Sequence, residues 1–336
     1  MSAKTSIAWS DATWNPTVGC SRVSAGCEHC YAERQAHRFH GIEGHALADL
    51  TESGKHGPRW NGTVRLNPNA LELPLRWKKP RRIFVNSMSD LFHEQLSDEQ
   101  IDQVFAVMAL RPQHTYLVLT KRPERMRAYM TGDRSDIIDL VFDAVGVERG
   151  DIAARVAVEN LESSWPLSNV WLGVSVEDQK TADERIPLLL ETPAALSFVS
   201  YEPGLGPVDF TRIDGAALGA DYKGLTIDAL YGGGTECDPK TPWGINWVIC
   251  GGESGPHARP FHVAWARSVI KQCRAAQIPA FLKQLGAKPV FFSDEWAGFE
   301  SRDTRRVDLK PLKLRSRKGD DPSEWPEDLR VQEFPS

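Results

Sequence analysis

Short runs of apolar, often β-branched residues alternate along the chain with longer stretches in which apolar positions recur every three or four residues. The clearest runs are Arg82-Ile-Phe-Val-Asn86, Thr115-Tyr-Leu-Val-Leu-Thr120, Val170-Trp-Leu-Gly-Val-Ser175, Leu196-Ser-Phe-Val-Ser200, Asn246-Trp-Val-Ile-Cys250 and Pro279-Ala-Phe-Leu-Lys283, with weaker ones at 5–10 and 62–67. Apolar runs of this length, each ending abruptly in polar residues, predict strands. Between them, Ser97 followed by Gln100 reads as a capping box, and Ile101, Val104, Phe105 and Met108 then repeat at helical spacing. Further helices are predicted over 27–39, 122–131, 180–191 and 262–276.

This βα alternation predicts a parallel sheet, and the eight runs match the strand count of a (β/α)8 TIM-type barrel, complete or partial. Two stretches break the rhythm and read as insertions: 133–169, with an extra helix around Ile137 to Val145, and 203–244, with Gly232-Gly-Gly234 and several prolines. The expected organisation is one barrel domain over 1–309, carrying a cysteine loop at 19–31, and an irregular tail over 310–336, either packed over the barrel or partly mobile.

Each strong run ends in polar residues: Asn86-Ser87-Met88-Ser89-Asp90, Thr120-Lys121-Arg122, Ser175-Val176-Glu177-Asp178, Ser200-Tyr201-Glu202, Gly251-Gly252-Glu253-Ser254 and Lys283-Gln284. Such residues also cap the helices that follow strands. In a parallel barrel, however, these ends converge on the face where active sites sit, and six of them together favour a polar pocket. Gly251 and Gly252 would let a ligand approach the backbone, and free N–H groups at a helix start would favour an anion or carboxylate. The rest of a dinucleotide fingerprint is missing, which argues against a nicotinamide site. Lys121, Arg122 and Lys283 are cations suited to a carboxylate or phosphate; Lys283 ends an apolar run, whereas Arg122 reads more as ordinary surface charge.

Composition adds the setting. The 336 residues carry 40 Lys+Arg against 45 Asp+Glu, a formal charge of -5, which argues against a general nucleic-acid coat. No apolar run approaches the roughly 18 to 20 residues that span a bilayer, and Met1-Ser-Ala-Lys-Thr lacks a signal-peptide pattern. The expected location is the cytoplasm, without membrane attachment, where the six cysteines are expected as thiols or metal ligands.

Three of these cysteines fall within eleven residues, in Gly19-Cys20-Ser-Arg-Val-Ser-Ala-Gly26-Cys27-Glu28-His29-Cys30-Tyr31-Ala-Glu33. The polar and glycine surroundings disfavour a purely packing role, and a Cys-x6-Cys-x2-Cys loop can wrap three thiolates around one soft centre. Two metal readings stay open. Structural zinc wants four protein ligands, which His29 or the distant Cys237 would have to complete. A 4Fe-4S cluster held by three cysteines instead leaves one iron open to an exogenous ligand, which implies chemistry. His93, His114, His257 and His262 form no recognisable ligand pair for a metal-dependent hydrolase. Trp77-Lys78-Lys79-Pro80-Arg81-Arg82 and the run from Lys310 to Lys318 place cations near an aromatic, as phosphate-binding surfaces do, although such runs also serve as solvated faces.

The cysteine loop with Tyr31-Ala-Glu33, Trp14-Asn15-Pro16, Asn86 to Phe92, Leu119 to Pro123, Gly173 to Glu177, Ser200 to Pro203 and Gly251 to Gly255 resemble the phage gene-product 37/68 family, also called the three-Cys-motif family, over nearly the whole chain down to Trp325-Pro-Glu-Asp-Leu-Arg330. That family name carries no reaction. At one remove, a cysteine loop before a parallel barrel resembles radical S-adenosylmethionine enzymes, in which a three-cysteine cluster and S-adenosylmethionine generate a 5'-deoxyadenosyl radical. The first cysteine spacing here is six residues instead of the usual three. Gly251-Gly252-Glu253 lies far later than the family's Gly-Gly-Glu element, so its methionine-amine role is not carried over. The resemblance implies Cys20, Cys27 and Cys30 as cluster ligands. Asn86, Ser87, Ser89 and Lys121 are then candidates for the cofactor's polar ends, with Ser175, Gly251, Gly252, Glu253 and Lys283 as further binding candidates. Asp90, Glu177, Tyr201 and Glu202 are candidates for substrate contact or proton transfer. It also implies an electron-donor protein, a substrate that is a nucleic acid or nucleotide, and a partner protein encoded nearby. The competing expectation is a non-catalytic, zinc-stabilised module that binds nucleic acid or protein.

Overall fold

The computed structural model describes residues 5–55, 57–134, 137, 165–231, 244–292 and 309–335. Most of the extra helix expected from Ile137 to Val145, the Gly232-Gly-Gly234 stretch and Cys237 lie outside the described residues. The fold is mixed α/β, and seven of its strands run parallel: β1 (Ala12–Trp14), β2 (Arg82–Val85), β3 (Thr115–Thr120), β4 (Val170–Val176), β5 (Leu196–Tyr201), β6 (Trp247–Gly251) and β7 (Ala280–Gln284). The longer helices are α1 (Tyr31–His37), α2 (Asp98–Ala109), α3 (Pro123–Thr131), α4 (Gln179–Leu190) and α5 (Val263–Ala275). Among the described residues, no helix is long and apolar enough to cross a membrane.

Two compact units divide the chain: Met1–Val174 with Leu188–Ser197, and Ser175–Pro187 with Phe198–Ser336. In the first, β1 pairs with β2 (Ala12↔Ile83), β2 with β3 (Ile83↔Tyr116) and β3 with β4 (Leu117↔Trp171). Ile83, Val85, Leu117, Val118 and Leu172 are fully buried, which is why these runs lack the alternation of a half-exposed strand. Helix α2 carries the expected capping box: the Ser97 hydroxyl accepts from the Gln100 amide, and the Gln100 side chain accepts from the Ser97 amide. Its Ile101, Val104, Phe105 and Met108 are buried, as the helical spacing requires. Pro123 opens α3, where a missing N–H costs nothing.

In the second unit β6 pairs with β5 (Val248↔Val199) and with β7 (Ile249↔Phe281). The chain end closes the free edge of β7. Leu282 N donates to Val331 O (2.8 Å), Glu333 N donates to Ala280 O (2.9 Å), and Gln332 bridges Phe281 antiparallel. Trp325 is buried with its indole N–H on Gly319 O (2.9 Å). Capping an edge strand removes a template for aggregation.

Both weak runs differ from expectation. Residues 5–10 contain no strand; pairing begins at Ala12, where β2 offers a partner and Asp11 already accepts the Arg82 amide (2.7 Å). Of 62–67, only Arg65–Leu66 is extended, and it pairs antiparallel with Thr17–Val18. Among the described residues the run of parallel strands β1 to β7 therefore has seven members, not eight; a separate short parallel pair, Phe261–His262 with Pro289–Phe292, is not part of it. Helix α1 starts at Tyr31 instead of near residue 27, because Ala25–Cys27 form a 3-10 turn belonging to the cysteine loop.

Candidate functional site

The three-cysteine loop leaves β1 and is pinned at its root by Gly19. This residue has φ +91°, its amide donates to Met88 O (3.1 Å), and it forms a parallel bridge with Ser89 after β2. A Cβ at Gly19 would sit 2.0 Å from Thr63 O, so no other residue fits without moving backbone. The loop's next residues are fastened by two arginines. Arg22 forms a fork with Glu33 (Nε to Oε1 2.8 Å, Nη2 to Oε2 2.6 Å), and the buried Glu33 also accepts the Trp60 amide (3.1 Å). Arg122 reaches from the start of α3 and donates through Nη2 to the Ser21 carbonyl (3.3 Å) and hydroxyl (2.8 Å). At its far end the loop is tied by the Tyr31 hydroxyl, which donates to Ser87 O (2.8 Å).

Cys20, Cys27 and Cys30 are free thiols, each partly exposed. Cys20 and Cys30 pack against the buried cluster of Val18, Ala32, Ala36, Leu50, Trp60 and Met88. Arg122 Nη1 donates to Cys20 Sγ at 3.9 Å. Burial, reinforced by Asp90, pushes the Cys20 thiol up to about 12; Arg122 opposes, and Cys27 and Cys30 add repulsion of their own. Burial likewise raises Cys30, although the Ala32 and Glu33 amides favour its thiolate. A soft cation bound here must therefore displace protons, and its positive charge offsets the repulsion among the thiolates so formed. Among the described residues, no three His, Cys, Asp or Glu side chains form a group able to hold a single metal ion.

Behind the loop stands Asp90, buried, with both oxygens engaged. Oδ1 accepts from Thr120 Oγ1 (2.7 Å) and Phe92 N (3.0 Å), while Oδ2 accepts from Lys121 N and Arg122 Nη1 (both 3.1 Å). Arg122 Nε adds Glu94 (2.8 Å). The Gln95 amide donates to His93 Nδ1 (3.2 Å), which leaves Nε2–H to donate to the Ser21 hydroxyl (2.9 Å). Burial and Arg122 hold His93 below its ordinary value, so this neutral tautomer persists at pH 7.

Beside the loop root lies a polar cradle. Asn86, 4% exposed with φ +62°, accepts the Thr17 amide through Oδ1 (3.3 Å). Asn86 Nδ2, Thr17 Oγ1 and Ser89 Oγ are buried without a hydrogen-bond partner. Leaving three such atoms unmatched costs about 1–3 kcal/mol each, and a polar ligand or ordered water would recover it. Ser87 is differently employed: its hydroxyl donates to Asn15 Oδ1 (3.1 Å). Lys121 contributes its amide to Asp90, and its side chain is half-buried.

In the second unit the sequence-derived candidates engage one another. Lys283 pairs with Glu202 (2.9 Å), which also accepts from Ser200 Oγ (3.3 Å). Gly251 leaves room for this pair, since a Cβ there would lie 2.7 Å from Glu202 Oε1. Tyr201 is buried and donates to Gly206 O (2.5 Å); burial raises its pKa, so it stays protonated. Arg185 bonds the Ser175 carbonyl (2.7 Å) and the buried Glu177 carboxylate (3.2 Å). Glu253 is held by the Arg259 amide and guanidinium, both at 2.8 Å. No helix begins at Gly251-Gly252-Glu253: the next starts at Val263, so the expected anion-binding helix start is corrected. Gly252 instead serves packing, its missing Cβ avoiding Leu285 O at 2.5 Å.

Arg122 also corrects the reading of it as surface charge, for its side chain is 5% exposed at the centre of the first unit's network. Its position at the strand end before Pro123 was visible in the sequence, but nothing local revealed the distant carboxylate that draws it inward. His93 and Ser21 were missed as a pair for the same reason.

The model of one protein family, described as "Protein of unknown function (DUF5131)", matches residues 4–309. No curated protein and no solved structure matches the chain.

Proposed function

We propose that this chain, which belongs to the DUF5131 family, is a radical S-adenosylmethionine-type iron–sulfur enzyme whose cluster is held by Cys20, Cys27 and Cys30. The observation that carries the reading is one loop presenting three thiols beside three buried, unmatched polar atoms at the C-terminal ends of β1 and β2. The donor set is all sulfur, and a cubane spreads its ligands over separate irons, so it does not need the single-ion grouping that zinc requires. Bound there, the cluster with S-adenosylmethionine supplies reductive C–S cleavage and hydrogen abstraction by the 5'-deoxyadenosyl radical. The chain's part is to bind and orient. Gly19, Arg22 and Arg122 fix the loop, while Asn86 Nδ2, Thr17 and Ser89 offer hydrogen bonds to the cofactor's polar groups. In the same reading the seven parallel strands are those of a partial (β/α)8 barrel, and the protein works in the cytoplasm with an electron-donor protein.

The test is anaerobic reconstitution with iron and sulfide, followed by metal counting and a reductive assay for 5'-deoxyadenosine. About four irons per chain with cleavage is the expected result. One tightly held zinc, with neither cluster nor cleavage, would move the protein to the zinc-stabilised binding module.

The substrate class proposed is a nucleic acid. Before β2, Arg76, Lys78 and Lys79 are exposed, and the Arg81 guanidinium lies 5.1 Å from the centre of the Trp77 ring, a surface suited to phosphates and a stacked base. Binding of single-stranded RNA or DNA is expected to weaken with salt, and replacing Lys78 and Lys79 by Glu should flatten the log–log slope by about 0.7 for each phosphate left unneutralised. Equal slopes for the variant and the parent would rule this surface out.

A further inference from the structure

Resting on the iron–sulfur reading of the loop, we propose that Arg122 and its carboxylates set the reduction potential of the bound cluster. Arg122 is the guanidinium that donates to a cysteine sulfur of the loop, Cys20, at 3.9 Å. Its remaining donors are fixed by Asp90 (3.1 Å), Glu94 (2.8 Å) and the Ser21 hydroxyl (2.8 Å), so the charge cannot swing away. It also sits in a protein interior where the effective dielectric is far below that of water.

Reduction adds one negative charge to the cluster and its thiolates. A hydrogen-bond donor and a cation beside a ligating sulfur stabilise that state more than the oxidised one, which raises the potential. The neighbouring carboxylates act in the opposite sense. Asp90 is buried and structurally committed, whereas Glu94 is 63% exposed and meets the guanidinium from the solvent side. Arg122 and Glu94 therefore form a pair of opposing controls, one strong and one screened. Because Glu94 stands at the surface, a docked electron donor that neutralised it would make the cluster easier to reduce at the moment of electron transfer.

The test is a potentiometric titration of the reconstituted full-length protein, followed by electron paramagnetic resonance of the reduced cluster. Arg122→Gln is expected to lower the midpoint by at least 59 mV, a tenfold change in the one-electron equilibrium. Arg122→Lys, which keeps the charge and loses the fork, is expected to fall between. Glu94→Gln should raise the midpoint by a smaller amount and, being a surface change, decides the matter if Arg122→Gln fails to load. A merely structural Arg122 would reduce cluster occupancy and leave the potential of the occupied fraction unchanged. Loaded variants with the parent's potential overturn the inference while leaving the iron–sulfur reading intact; a parent protein that assembles no cluster overturns both.

Discussion

Cys27→Ala is expected to abolish cluster assembly and S-adenosylmethionine cleavage while leaving the fold in place. Cys27 ends the 3-10 turn Ala25–Cys27, is partly exposed, and is not among the residues packed on the cluster around Leu50 and Trp60. Its loss therefore creates no core cavity, and its stability cost should stay within about 0.5 kcal/mol. Iron should fall from about four per chain to below one, because two thiolates cannot replace three as anchors for a cubane. Cys20→Ala and Cys30→Ala should lose iron equally, but at a cost in stability, since both side chains pack against that apolar cluster. Measured together, iron content and thermal unfolding separate ligand loss from unfolding. A Cys27→Ala protein that keeps its iron and its activity would remove this residue from the ligand set.

The difference among the three cysteines marks where sequence reading reached and where it stopped. Strands β2 to β7 were legible because a parallel strand buried on both faces must be apolar throughout, and helix α2 because its cap and its stripe agree. Runs 5–10 and 62–67 failed because their length and polarity gave no such constraint; the position of a partner strand decided them. Within the site, the cysteine spacing and Gly19 are local signals and could be read directly. Arg122 could not, since what buries it is Asp90, 32 positions away in sequence, together with Ser21 from the loop itself. Glu253 is the reverse case. Its Gly-Gly-Glu context suggested ligand binding, while the glycines make room for Leu285 and Glu202 and the carboxylate is taken by Arg259.

Asp90 is where this hidden network can be tested most sharply, because one carboxylate there organises the ends of two strands and the root of the loop. It accepts four hydrogen bonds, from Thr120, Phe92, Lys121 and Arg122, and the guanidinium it balances is itself buried. Asn at this position keeps the shape but turns one acceptor into a donor, which must then face either the Thr120 hydroxyl and the Phe92 amide or the Lys121 amide and Arg122. It also strips Arg122 of its buried counter-charge. Breaking a buried pair from one side costs about 3–5 kcal/mol. Glu94 and Ser21 remain as partial partners, so the lower end, about 3 kcal/mol, is expected for Asp90→Asn. For a unit of this size that corresponds to a fall in melting temperature of about 6–12 °C. Thr120→Val removes a hydroxyl that donates to Asp90 and accepts the Arg122 amide (2.9 Å), but no charge, and should cost only about 1–2 kcal/mol. If Asp90→Asn unfolds within about 0.5 kcal/mol of the parent, the network is not what fixes Arg122 against the loop. A large loss for Asp90→Asn with a small one for Thr120→Val would locate the stabilisation in the buried charge pair, and with it the rigidity that holds Cys20 in place.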